Sequence, residues 1–438
     1  YSGSRGFCRM GDVFVGNMLV RNGRLIDPSQ NIDQIADILI ENGKVVKIEE
    51  KITDHVDRVL EARGLTVVPG LVDMHVHLRD PGFTYKEDIH TGCGAAVAGG
   101  VTSLLCMPNT NPVTDSEEVI GYIQKTAARV RAKVYVCGAI TQGMKGDALA
   151  DFALYERLGV TAVSDDGRPV EKPEIMEQAL VEAKKHGLLV TSHCEDLAII
   201  NGGIMNRGKV SEELGVPGMD RLSEDSITER EILLAEKTGT HVHIAHVSTK
   251  GSVELVRKAK KRGVQVTAET CPHYFAYTDE KLRTRDADYR MNPPLREKED
   301  VEAVIAGLLD GTIDCIVTDH APHAKKEKQD FLKAPNGTVG LETSLAAGIR
   351  FLVEPGILPL KKLIELMSTA PARILGIPAG SLKPGMPADI ALIDTNLKWT
   401  VLPERLNSKS KNTVFKFEHM QGRVRYTFVN GEIVHVMR

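Results

Sequence analysis

Between residues 71 and 318 short apolar runs alternate with amphipathic stretches, and this alternation leaves the chain very few folds. The runs are Leu71–Leu78, Val101–Met107, Val134–Ile140, Thr161–Ser164, Leu188–Ser192, Val242–Val247, Val264–Glu269 and Ile313–Thr318. Runs this short and this apolar suit strands buried on both faces. Helical periodicity fills the gaps over Ser116–Arg131, Glu174–His186, Ser226–Lys237, Ser252–Arg262 and Lys298–Leu309. Eight strands, each followed by helical sequence, predict an α/β fold of the closed (β/α)8 TIM type. A doubly wound open sheet is the alternative, but no Gly-x-Gly-x-x-Gly follows the first strand.

Both flanks have a different texture. From Met18 to Val68 the chain alternates in short β runs broken by Asn22-Gly23 and Asn42-Gly43, and Pro69-Gly70 ends them. The tail returns to β sequence at Pro387–Asp394 and Val424–Val429, with Asn430–Val434 as a hairpin arm. Neither flank has enough strands for a core of its own, so the two are expected to pair into one small β domain. The 438 residues then divide into 18–70 and 385–438 for the β domain and 71–384 for the barrel. Residues 1–17 lack a clear period and an apolar h-region, and read as a loose leader or expression remnant.

A net charge of −4 gives no electrostatic footprint for nucleic acid. No apolar stretch approaches the roughly 18 residues of a spanning helix. The seven cysteines are scattered, several inside strand-like runs, which predicts reduced thiols and a cytoplasmic protein.

In such a barrel, chemistry gathers at the C-terminal ends of the strands. In the first run Asp73, His75, His77 and Arg79 alternate onto one face. Two imidazoles two residues apart can hold one metal ion, and the guanidinium beyond them can hold an anion. The later strand ends supply Asn109, Thr141-Gln142, Asp165-Asp166-Gly167, His193-Cys194-Glu195, His246, His273 and Asp319-His320-Ala321-Pro322-His323. Four histidines and two aspartates converging on one mouth point to a metal site. Imidazole and carboxylate without a cysteine quartet suit zinc with an open position. Six ligands exceed one tetrahedral ion and suit two ions that share a carboxylate.

Asp73-Met74-His75-Val76-His77-Leu78-Arg79-Asp80-Pro81 resembles the first signature of the dihydroorotases, a family of the amidohydrolase superfamily. Thr318-Asp319-His320-Ala321-Pro322-His323, followed by lysines, resembles the second, and Met107-Pro108-Asn109-Thr110 also fits. The resemblance runs from Met18 onward. It implies reversible zinc-dependent hydrolysis of the cyclic amide of dihydroorotate to N-carbamoyl-aspartate, a step of pyrimidine biosynthesis, with one or two zinc ions per subunit. It further implies His75, His77, Asp166, His193, His246 and Asp319 around the metal, with Asp319 as catalytic base and then acid. Substrate contacts would come from His77, Arg79, Asn109, Asn292, His323 and the backbone of Gly337. Many relatives carry a carboxylated lysine after the fourth strand; here stands Asp165-Asp166-Gly167, as in a bacterial branch that uses aspartate there. Spacing to His193 favours Asp166 as the ligand and leaves Asp165 behind it. Homo-oligomers and a complex with aspartate carbamoyltransferase are expected of such a family, and nucleic acid or membrane partners are not. The rival readings are a hydantoinase, dihydropyrimidinase or allantoinase, and a subunit that scaffolds the carbamoyltransferase.

Other polar residues have plainer readings. Cys194 is expected to point behind its strand, the alternative being a thiolate that takes the open zinc position. His273 reads as an outer support of the site. His55, His90, His186, His241, His419 and His435 read as structural or solvent-facing. Lys325-Lys326-Glu327-Lys328 reads as a solvated face of a loop able to close over substrate.

Overall fold

A computed structural model describes residues 16–437. Eight parallel strands form the barrel: β1 (Leu71–Val76), β2 (Val101–Cys106), β3 (Lys133–Gly138), β4 (Ala162–Val163), β5 (Leu189–Ser192), β6 (Val242–Ile244), β7 (Val266–Thr270) and β8 (Cys315–Ile316). Each pairs with the next in chain order. The ring closes where Val76 bridges His320 and the His77 amide donates to the His320 carbonyl at 2.9 Å. The open doubly wound alternative is thereby excluded. β4 and β8 keep only two residues of regular pairing, shorter than their apolar runs, because the chain turns early into the loops at the mouth.

The helices carry local signals for their own ends. Ser116 accepts from the Val119 amide to cap α1 (Glu117–Ala127). Thr249 does the same with the Ser252 amide for α2 (Lys250–Lys261). α2 buries Val253, Val256 and Ala259 on one face and places Lys258, Lys260 and Lys261 in its last turn, where the helix dipole favours cations. The helix read from Ser226 begins earlier, at Leu222, and runs to Thr238.

The two flanks form one eight-stranded sheet. Thr66–Pro69 pairs antiparallel with Ile390–Thr400, which joins the chain ends. Met18, Val20, Leu25, Ile38, Ile40 and Val67 from one flank pack with Ile390, Leu392 and Phe428 from the other. The strand Arg58–Glu61, which the sequence did not predict, lies parallel to the first strand Asn17–Asp27. Of the leader read over 1–17, residues 1–15 lie outside the described residues, and Asn17 already opens that first strand.

Between its strands the C-terminal flank makes an excursion over the barrel. Ser408 Oγ bonds Glu87, Lys409 pairs with Asp88, and Asn412 Nδ2 donates to the carbonyls of Ala321 (3.2 Å) and Gly337 (3.0 Å). No described helix is long and apolar enough to cross a membrane.

Candidate active site

The strand ends open onto a cavity of about 260 Å3. His77, Arg79, Asn109, Asp166, His193, His246, Asn292, Asp319, His323 and Gly337 all line it. His75, buried beside it, places Nε2 3.2 Å from Asp166 Oδ1. The expected residues are thus brought together from strands as far apart in sequence as β1 and β8.

Asp166 is the hub. Its Oδ1 lies 3.5 Å from His246 Nε2 and 3.6 Å from His193 Nδ1, and its Oδ2 lies 3.3 Å from His77 Nε2. Two sets of atoms suited to a metal ion result, His75–His77–Asp166 and Asp166–His193–His246, with the carboxylate in common. Asp319 Oδ1 sits 3.1 Å from His77 Nε2 and 3.6 Å from His75 Nε2. Asp165 turns away and accepts from the Ile140 amide (2.8 Å), the Thr141 amide (3.1 Å) and the Thr141 hydroxyl.

The outer nitrogens of three histidines are held by acceptors. His75 Nδ1 donates to Glu269 Oε1 at 2.6 Å, His77 Nδ1 to Asn109 Oδ1 at 2.8 Å, and His193 Nε2 to Glu195 Oε2 at 2.9 Å. With the proton on the outer nitrogen, the lone pair of each ring faces inward. Glu269 also accepts from His243 Nε2 at 3.1 Å and from the His246 amide at 3.2 Å, so one carboxylate on β7 orients groups from β1 and from the end of β6. Neither His75 Nε2 nor Asp166 Oδ1, both buried, has a hydrogen-bond partner among the described residues. Buried polar atoms are rarely left so. Inward lone pairs, orphaned atoms and an all-nitrogen-and-oxygen donor set fit a metal ion of the zinc type.

Charge is tuned by proximity. Burial pushes the Asp319 carboxyl up, but its contacts with His77, His75 and His246 outweigh burial and hold the group at about 2. The same contest leaves Asp166 well below the usual carboxylate range. Burial, with Arg79, Lys86 and Lys328 nearby, lowers His323 to about 2, so that ring is neutral. Its Nε2 donates to the Asn336 carbonyl at 2.8 Å, and Lys86 Nζ donates to its Nδ1 at 3.2 Å. Arg79 Nε donates to the Pro322 carbonyl at 3.2 Å, and no carboxylate pairs with the guanidinium among the described residues. Arg79 (φ 61°), His246 (φ 33°) and Asp319 (φ 46°) all hold left-handed backbone, which is costly for such side chains and clusters where geometry is enforced.

Three residues outside the expected set hold the site together. Glu195 stands two residues past His193 and accepts from Asn292 Nδ2 at 2.9 Å. Glu269 lies at the end of a strand-like run, which is itself a signal, since a buried carboxylate needs partners. Asn412 gives no sequence signal. Cys194 faces away: its Sγ contacts the Ser192 carbonyl and hydroxyl, it packs in the main apolar cluster, and burial pushes its thiol up. His273 is buried, and burial lowers it to about 4. The solvated reading of the charge run holds for Lys325 and Lys326 but not for Lys328, whose ammonium turns inward onto three carbonyls.

The sequence model of the amidohydrolase family matches residues 66–434. A dihydroorotase of Geotalea daltonii is 50% identical over 422 residues, covering 96% of this chain and 99% of that protein. One of Geobacter metallireducens is 51% identical over 422 residues, with the same coverage. Among solved structures, the L-hydantoinase (dihydropyrimidinase) of Arthrobacter aurescens superposes with a TM-score of 0.86 at 24% identity, covering 97% of this chain and 98% of that one. At that identity the likeness speaks for the fold. The chain belongs to the amidohydrolase family, and within it to the dihydroorotases.

Proposed function

We propose that this chain is a zinc-dependent dihydroorotase: it opens the cyclic amide of dihydroorotate to N-carbamoyl-aspartate and, in the biosynthetic direction, closes it. One observation carries the choice of substrate. Arg79 presents a recessed guanidinium with no carboxylate partner, and it lines the cavity beside Asn109 and His323. A cation so placed calls for an anionic ligand, and dihydroorotate carries a carboxylate where hydantoin and dihydropyrimidine rings carry none. Bidentate contact would also fix the ring's register.

His75, His77, Asp166, His193, His246 and Asp319 would hold one or two zinc ions. When bound, these would supply a Lewis acid and bring the pKa of a water down toward about 7. The chain's own residues do the rest. Asp319, ionised and facing the cavity, takes the proton of the attacking water and passes it to the leaving amide nitrogen. Asn292, held by Glu195, and the Gly337 backbone contact the ring. Gly337 holds φ 143°, and a Cβ there would stand 2.7 Å from Ala321 Cβ and 3.0 Å from His323 Nε2. Only glycine lets that backbone approach so closely. We further assign residues 71–384 to the catalytic barrel and 18–70 with 385–438 to the β domain, and place the enzyme in the cytoplasm. Homo-oligomers and association with aspartate carbamoyltransferase belong to the same reading.

The test is metal content measured together with turnover. A zinc-loaded sample should hydrolyse dihydroorotate, be inhibited by orotate and leave hydantoin intact. Hydantoin turnover without dihydroorotate turnover would overturn the assignment in favour of a hydantoinase.

A further inference from the structure

Lys328 closes the charge run Lys325–Lys328, yet its ammonium does not face solvent. Its Nζ donates to the carbonyls of Arg290 at 3.3 Å, Pro335 at 2.9 Å and Gly337 at 3.1 Å. Three acceptors use all three protons of the head group. No carboxylate pairs with it among the described residues: Asp286 and Asp288, the nearby acids, are taken by Lys416 at 2.5 and 2.7 Å. A cation buried without a counter-ion is costly, and its burial lowers Lys328 to about 7.

The three carbonyls belong to two segments far apart in sequence, around Arg290 and around Asn336. Arg290 lies two residues before Asn292. Pro335 and Gly337 bracket Asn336, whose carbonyl receives His323 Nε2–H at 2.8 Å. Lys328 itself sits five residues past His323, on the same loop. The segments bearing Asn292, His323 and Gly337 therefore converge on one nitrogen.

We infer that Lys328 is a positioning residue for substrate binding: its ammonium locks these segments into register, so that the non-metal wall of the cavity is formed before the substrate arrives. The inference rests on the dihydroorotase reading. Pre-formed walls save the ordering cost that would otherwise weaken affinity. The lock is separate from the metal cluster, since none of its three carbonyls belongs to a residue of that cluster. It is also not the only tie on these carbonyls. Two of its acceptors have second donors: the Gly337 amide reaches the Arg290 carbonyl at 2.9 Å, and Asn412 Nδ2 reaches the Gly337 carbonyl at 3.0 Å.

The experiment compares the metal-loaded wild-type enzyme with Lys328→Met, Lys328→Arg and the exposed control Lys326→Met. Four quantities are read: KM and kcat for dihydroorotate, orotate affinity by calorimetry, metal content and Tm. Loss of one charge-assisted contact set predicts that Lys328→Met raises KM about tenfold or more and weakens orotate to match. Its kcat should stay within about threefold. Metal content should match wild type. Lys328→Arg should recover part of the loss, and Lys326→Met should change nothing. A folded Lys328→Met protein with wild-type KM and orotate affinity overturns the inference. So does one that loses metal in step with substrate, which would make Lys328 a general brace. If Lys328→Met does not fold, Lys328→Gln with unchanged orotate affinity overturns it equally. Failure of the wild-type enzyme to turn over dihydroorotate would count against the function reading instead.

Discussion

Arg79 and Asp319 sit in the same cavity, both in left-handed backbone, and the proposed function gives them different roles. Arg79→Gln removes the cation that an anionic ring requires; kcat/KM for dihydroorotate should fall by roughly 10²-fold, as expected for loss of a paired charge-assisted contact. Steady-state kinetics check this, and a drop smaller than threefold would remove Arg79 from the binding role. Asp319→Asn keeps the shape but cannot carry a proton. Its kcat should drop by about 10²–10⁴ while orotate still binds. Glu269 supports rather than reacts. With Glu269→Gln the grip on His75 and the His246 backbone weakens, and metal affinity measured by chelator competition should fall about 10–100-fold. The main cluster was legible because each member stands at the end of an apolar run, where an imidazole or carboxylate is conspicuous. Its supports were not. Glu195 meets Asn292 across 97 positions and Glu269 meets His75 across 194, and pairings at that distance leave no local period to read.

At the level of strands and helices, the eight-fold alternation was plain because apolar strands and amphipathic helices differ in period. Short elements were harder: β4 and β8 pair over two residues each, and only their place in the series marks them. Just ahead of β6, the His241 ring bonds Thr267 Oγ1 at 2.8 Å, and burial, with His243 beside it, lowers it to about 4. The unfolded chain binds a proton at His241 below pH about 6.5, whereas the folded one does so only near 4. The unfolded state therefore holds more protons between those values, and stability from this group falls as pH drops from about 6.5 to 4. Thermal melts of His241→Gln over that window should show a shallower decline in Tm than wild type. An equal or steeper decline would remove His241 as a source of acid sensitivity.

For the whole molecule, the two flanks complete each other. Ile390–Thr400 covers the edge at Thr66–Pro69, and Leu392 and Phe428 fill the core against Val20 and Ile40. A chain ending at Thr400 would leave that core half built and an open strand edge exposed. It should be recovered mainly as aggregate, which sedimentation after expression would show. A soluble, monodisperse product would mean that the barrel and the N-terminal flank stand without the last strands. The pairing of the flanks could be foreseen because each is too poor in strands to fold alone. The excursion over the barrel between them could not, since its anchors are single polar side chains in a stretch without pattern.

That excursion has a consequence for the order in which the protein is made. Every expected metal-binding side chain has been added by residue 319, but Asn412, which holds the Ala321 and Gly337 carbonyls, follows 93 residues later. A nascent chain can gather its metal-binding cluster well before it owns a finished substrate wall. A chain stalled between those two positions carries every side chain expected around the metal but lacks the amide that ties the Ala321 and Gly337 carbonyls.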